Sequence, residues 1–179
     1  MARILVCYGS SEGQTAAIAE SIGDILEDHG HDPIVISTKR PPENISLRNY
    51  DGVIVGASVH RGYHQEHASA FVQRHVDRLN SLPSAFFSVS LTAAKPVPEA
   101  SFEAEQYVEE FLEDTGWYPE RTHVVAGALK YSEYGLLTRL IMRRIAKKQG
   151  METDTTRDYH YTDWEDVEQF TLEFEEVLE

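Results

Sequence analysis

The chain has 179 residues, a length that suits one domain with one core. Hydrophobic residues make up 41% and aromatics 10%, which excludes wholesale disorder. Thirty acidic residues against 16 basic ones give a formal charge of −14, which excludes a nucleic-acid binder, since that needs a basic face.

The first element expected is a short apolar strand, Ile4–Tyr8. Thr15–His29 reads as a helix, with Ala16, Ile18, Ala19, Ile22, Ile25 and Leu26 on its apolar face and Gly30 as its stop. Pro33–Ser37 is a second strand, followed by a Pro-, Asn- and Ser-rich loop over Arg40–Asn49. Val53–Gly56 is a third strand and Gln65–Asn80 a helix. Ser84–Val89 is a fourth strand, Ala100–Thr115 a helix, Thr122–Leu129 a fifth strand, and Trp164–Leu178 a closing helix. Strands alternating with helices predict an α/β fold, a parallel sheet covered on both faces. Residues 130–161 do not fit the alternation and read as an insertion after strand five. The expected organisation is one domain over 1–179 that carries this insertion.

Cys7 is the only cysteine, so no intramolecular disulfide is available. With no apolar leader and no run long enough to span a bilayer, the expected location is cytoplasmic. Lysine is scarce, five against eleven arginines. That surface reads either as adapted to strong salt, which screens self-repulsion, or as that of an ordinary acidic cytosolic protein.

Three polar loops follow strands. Ser10-Ser11-Glu12-Gly13-Gln14-Thr15 joins strand one to helix one. A helix start offers unpaired N–H groups and a positive dipole end, so the loop is a candidate phosphate site, with Gly13 allowing close backbone approach. It lacks the lysine of a triphosphatase loop and the glycines of a dinucleotide fingerprint. Ala57-Ser58-Val59-His60-Arg61-Gly62-Tyr63 follows strand three, and Ser90-Leu91-Thr92-Ala93-Ala94-Lys95 follows strand four. In a doubly wound sheet such loops converge beyond the strands' carboxyl ends and could hold a flat heterocycle.

The first loop resembles the phosphate loop of flavodoxins, [ST]-x-[ST]-G-x-[ST], with Glu12 in place of the third-position hydroxyl residue. An acid before Gly-Gln-Thr is similar to the flavodoxin-like, quinone-dependent protoporphyrinogen oxidase family. Further stretches carry the same resemblance: Tyr50–Ser58, Leu79–Leu91 with Lys95-Pro96, Val125–Tyr131, Gly150–Thr155 and Tyr161–Trp164. The family tends to place an aromatic just before the glycine of the second loop. Here Arg61 stands there and Tyr63 follows, so either Tyr63 covers a flavin ring or Arg61 stacks on it.

The resemblance implies a five-stranded flavodoxin-like sheet of order 2-1-3-4-5 and flavin mononucleotide (FMN) as cofactor. It places the phosphate on Ser10–Thr15 and the ring between Ala57–Tyr63 and Leu91–Lys95. It also implies dehydrogenation of a porphyrinogen in heme biosynthesis, with a membrane quinone as acceptor. The flavin does the redox chemistry, so no catalytic acid or base is assigned. A flavodoxin-type electron carrier and a non-enzymatic α/β binding module remain as alternatives.

Leu136–Lys148 is a basic amphipathic segment within the insertion. It holds Arg139, Arg143, Arg144, Lys147 and Lys148 and no acid, leaving 11 basic against 30 acidic residues elsewhere, a net −19. Its apolar residues Leu137, Leu140, Ile141 and Ile145 share one helical face. The segment reads as a substrate or membrane surface outside the flavin loops, which would make the protein peripheral on the cytoplasmic side of a membrane. The bland alternative is a helix whose bases pair with the acidic remainder. His60, His64 and His67 have helical spacing, but no cysteine or acid triad completes a metal site, and none is expected. Cys7 reads as a small buried hydrophobe, and the acids from Asp163 to Glu179 as a solvated helix face.

Overall fold

A computed structural model describes residues 1–178. Five parallel strands form the main sheet: β1 (Arg3–Gly9), β2 (Asp32–Ser37), β3 (Gly52–His60), β5 (Ser84–Ser90) and β6 (Arg121–Ala126). A two-residue strand, β4 (Tyr63–His64), folds back antiparallel on the end of β3. The order is β2-β1-β3-β5-β6, which is the expected 2-1-3-4-5 once the hairpin arm β4 is set aside. The strand order changes sense between β1 and β3, so ligand-sized space opens above their carboxyl ends.

Successive strand residues point to opposite faces, and the two apolar clusters follow that parity. Leu5, Cys7, Val53, Val55 and Phe86 face α2 (Glu66–Leu79) and α3 (Glu99–Thr115). Ile4, Val6, Ile54 and Phe87 face α1 (Gln14–Asp28) and α5 (Trp164–Val177). Both faces of each central strand are therefore buried, which is why those strands read as unbroken apolar runs. Cys7 is fully buried, as expected. Asp163 caps α5, accepting from the N–H groups of Glu165 and Asp166. Most acids of α5 are exposed, as expected, Asp166 among them beside His123, while the half-buried Glu175 meets His29 and His31. Glu179 lies outside the described residues.

Two expectations need correction. The fifth strand does not run through Leu129. It ends at Ala126, and Ala128–Leu129 forms β7, pairing antiparallel with β8 (Tyr159–His160) in a separate small sheet. Gly127 makes the break by spending its backbone groups on two partners: its N–H donates to the Ser90 carbonyl and its own carbonyl accepts from Tyr161 N–H. The second loop is not open either, because β3 continues to His60 and turns back at Arg61-Gly62.

Between β7 and β8 the chain forms α4 (Leu136–Lys148), with the limits expected from its periodicity. Leu129, Tyr131, Tyr134 and Ala146 make a third apolar cluster, joined by Met142, Met151, Tyr159 and Tyr161. The insertion thus has a small core of its own. No helix of the described residues is long and apolar enough to cross a membrane.

Candidate functional site

The loop from β1 to α1 is shaped around Gly13, whose φ of 88° is left-handed and favours glycine. Gly13 N–H donates to Ser10 Oγ at 2.9 Å and closes the loop. Helix α1 then begins with no side-chain cap and no acid in its first turn. Thr15 Oγ1 is buried and has no hydrogen-bond partner among the described residues. An uncapped helix start with an orphaned hydroxyl is the arrangement an anion completes. Gln14 is fixed from the side: its Nε2 donates to Thr162 Oγ1 at 2.9 Å, and Thr162 Oγ1 donates to the Ala126 carbonyl at 2.7 Å.

Above the carboxyl ends of β1, β3 and β5 lies a cleft of about 430 Å³. It receives Ser10, Ser11, Glu12, Gln14 and Thr15 from the first loop. Ser58, Val59, His60, Arg61 and Gly62 come from the second, and Ser90, Leu91, Thr92 and Lys95 from the third. The three loops expected to converge do so. Gly13 shapes the first loop without lining the cleft, Ala57 is fully buried, and Ala93 and Ala94 do not line it. Tyr63 is 77% exposed and borders a separate polar depression between α2 and α3. Of the two side chains beside Gly62, Arg61 is the one at the cleft.

The second loop's geometry comes from its turn. Arg61 (φ 52°) and Gly62 (φ 84°) both have positive φ, the requirement of the two-residue turn that matches strand twist. In the third loop, Ala93 N–H donates to Ser90 Oγ at 3.2 Å. Lys95 Nζ reaches Glu103 Oε2 at 3.4 Å, and Tyr107 donates to Glu103 Oε1 at 2.6 Å. The Tyr107 hydrogen bond, with Lys95 nearby, holds the Glu103 carboxyl below its ordinary range.

The insertion supplies the remaining wall. Tyr134, Thr138, Ile141, Met142, Ile145 and Gln149 line the cleft. Lys130 Nζ donates to the Glu12 carbonyl at 3.0 Å, and Tyr134 donates to Glu12 Oε2 at 3.1 Å. Burial pushes the Glu12 carboxyl up, and the Tyr134 bond and the charges of His60 and Lys130 work against that rise.

None of the five α4 bases lines the cleft. Arg143, Arg144, Lys147 and Lys148 are exposed, and Arg139 is held by the Tyr131 and Tyr134 carbonyls. No base of α4 makes an ion pair among the described residues, so the pairing alternative has no support. Leu136, Leu137 and Leu140 are 62–80% exposed. The expectation that α4 stands outside the flavin loops is corrected in part, because its Ile141 and Ile145 enter the same cleft.

Sequence reasoning missed Glu103, Tyr107, Tyr134 and the cleft-facing side of α4. Glu103 and Tyr107 sit four apart on one helix face, a spacing visible in the sequence. Nothing local indicated that Tyr134 would reach Glu12. The three histidines do not converge: His64 Nε2 meets Ser88 Oγ at 2.8 Å, and His67 Nδ1 meets Thr38 Oγ1 at 2.8 Å. No group of metal-ligating side chains occurs among the described residues.

A parallel sheet of this order, with a phosphate-type loop after its first strand and a cleft at its reversal point, defines a flavodoxin-class nucleotide-binding protein. The flavodoxin domain model matches residues 5–156. Protoporphyrinogen IX dehydrogenase (quinone) of Escherichia coli (strain K12) is 38% identical over 171 residues, covering 96% of this chain and 93% of that protein. The Leishmania major protein of the same name is 33% identical over 172 residues, covering 96% of this chain and 74% of that one. The chain belongs to the flavodoxin family, in the branch of the quinone-linked protoporphyrinogen IX dehydrogenases.

Two solved structures share the fold. Oxidised Flavodoxin 2 from Bacillus cereus superposes with a TM-score of 0.54 at 23% identity, covering 97% of this chain and 98% of that one. A short-chain flavodoxin associated with a non-canonical PDU bacterial microcompartment gives 0.59 at 13% identity, with both chains fully covered. Membership of this family makes FMN the cofactor. The cleft has parts that fit it: an uncapped helix start and an orphaned Thr15 hydroxyl for a phosphate, and two further loops for a flat ring.

Proposed function

We propose that this protein is an FMN-dependent protoporphyrinogen IX dehydrogenase that delivers electrons to a membrane quinone. The observation that carries the reading is the wall that α4 adds to the cleft. Ile141, Met142 and Ile145 line the cleft beside the flavin loops and make an apolar wall for a largely apolar macrocycle. The 38% identity to the E. coli enzyme of that name supports the same reading.

In this reading Ser10–Thr15 hold the phosphate on the α1 N-terminus, and Thr15 gains the partner it lacks. Residues Ala57–His60, Gly62 and Ser90–Lys95 orient the ring through their loop positions. When bound, FMN accepts the electrons removed from the porphyrinogen. Residues 1–179 act as one domain, and the insertion at about 130–161 is the part that meets substrate and acceptor. The exposed Leu136, Leu137 and Leu140, with Arg143, Arg144, Lys147 and Lys148, form the side that approaches a bilayer, where the quinone resides.

The test is anaerobic. Porphyrinogen added to FMN-loaded protein bleaches the flavin absorbance, and a quinone analogue restores it. The acidic surface, at −14, favours a second reading, an electron carrier that docks by charge. A carrier gives no bleaching with porphyrinogen and reduces only through a protein partner. A protein that takes up no flavin at all is neither.

A further inference from the structure

Arg61 is the one non-glycine residue with positive φ among the described residues. It opens the β3–β4 turn at a position where asparagine or glycine fits best, because a larger side chain meets steric resistance in the left-handed region. Backbone strain of this kind concentrates at functional positions. The side chain has no local compensation: Arg61 makes no ion pair and no side-chain hydrogen bond among the described residues, in a chain of net charge −14.

The position is at the cleft. Lys95, also there, is committed to Glu103. The α4 bases, expected from the sequence to meet an anionic substrate, lie off the cleft. Arg61 is therefore the cleft's uncommitted permanent cation, and the α4 wall of Ile141, Met142 and Ile145 is apolar. A planar guanidinium fork beside an apolar wall matches a largely apolar macrocycle with carboxylates at its edge.

We propose that Arg61 is a specificity-determining residue that anchors a carboxylate of the tetrapyrrole at the mouth of the cleft. The inference rests on the dehydrogenase reading for the identity of the substrate. It assigns to Arg61 a role toward substrate in place of one toward the flavin ring.

The test uses FMN-loaded protein and the stable dicarboxylate porphyrin, compared with its dimethyl ester. Wild type binds the dicarboxylate about tenfold more tightly, the usual scale of one charge-assisted pair. R61N abolishes that preference, and R61K, which keeps the charge without the fork, retains part of it. The Arg61→Asn exchange supplies Asn-Gly, the preferred turn pair, so this variant melts at or above the wild-type temperature. Lost binding then cannot be ascribed to misfolding. FMN affinity is the same in all three proteins.

A preference that survives in R61N overturns the proposal. So does a matching fall in FMN affinity, which makes Arg61 a cofactor residue. Because the readout is binding, it separates from the functional reading. An Arg61-dependent preference without porphyrinogen oxidation upholds the anchor and sinks the dehydrogenase. Turnover without that preference does the reverse.

Discussion

The phenol of Tyr134 donates a hydrogen bond to a carboxylate oxygen of Glu12 at 3.1 Å, joining the insertion to the phosphate loop across 122 positions of sequence. Glu12 stands where flavodoxins carry a hydroxyl residue, beside the place assigned to a phosphate. Burial already raises its carboxyl, and a phosphate dianion nearby raises it further. FMN therefore binds better to the protonated form, and affinity falls as pH rises through the Glu12 titration. E12Q should bind FMN about fivefold more tightly above that range, on the order of 1 kcal/mol for one removed like charge. Its residual pH dependence is that of the phosphate's own ionisation near pH 6. Riboflavin, which has no phosphate, serves as the control. Equal pH profiles for FMN in wild type and E12Q would refute the linkage.

Gly13→Val should abolish FMN uptake. A β-branched residue at φ 88° costs about 1–2 kcal/mol and blocks the close approach of backbone to phosphate that glycine allows. Flavin fluorescence quenching reads the uptake, and thermal unfolding should show a loss of several degrees. Tight FMN binding by this variant would place the phosphate elsewhere.

His64 sets a pH dependence of stability. Burial lowers its pKa from 6.5 to about 4; the ring is edge-on to Phe86 and Phe111, with Nε2 on Ser88. Between those values the unfolded chain binds a proton that the folded chain does not. Stability therefore falls as pH drops from about 6.5 to about 4, by up to roughly 1.4 kcal/mol per pH unit. Urea unfolding of wild type and His64→Gln across this window should diverge, with the shallower slope in the variant. Parallel curves would show that His64 is not the titrating group.

The two sides of α4 should separate by mutation. Leu136, Leu137 and Leu140 are exposed and off the cleft, so changing all three to serine should leave flavin occupancy intact and weaken sedimentation with anionic vesicles. Neutralising Arg143, Arg144, Lys147 and Lys148 should weaken vesicle binding at low salt and have little effect at high salt. Unchanged binding in both variants would make the outer side of α4 structural.

The acidic surface predicts salt stabilisation. Molar KCl shortens the Debye length to about 3 Å and should raise the melting temperature above that in dilute buffer by relieving self-repulsion. A flat dependence would leave an ordinary acidic surface.

The sequence by itself determined the sheet, its helices and the meeting of three loops. Runs such as Val53–Val55 can be buried on both faces in one kind of sheet, and helical periodicity set Leu136–Lys148 to the residue. Those features rest on patterns only a few residues long. Tertiary structure alone decided the rest. It divided the fifth strand at Gly127, whose two partners, Ser90 and Tyr161, are far away in sequence. It brought Tyr134 onto Glu12, put Ile141 and Ile145 in the cleft, and turned the α4 bases away from it. Periodicity tells which residues share a helix face, but not what that face meets. The meeting is fixed by packing between segments distant in sequence, as Tyr134 and Glu12 are at 122 positions, and no local pattern encodes it.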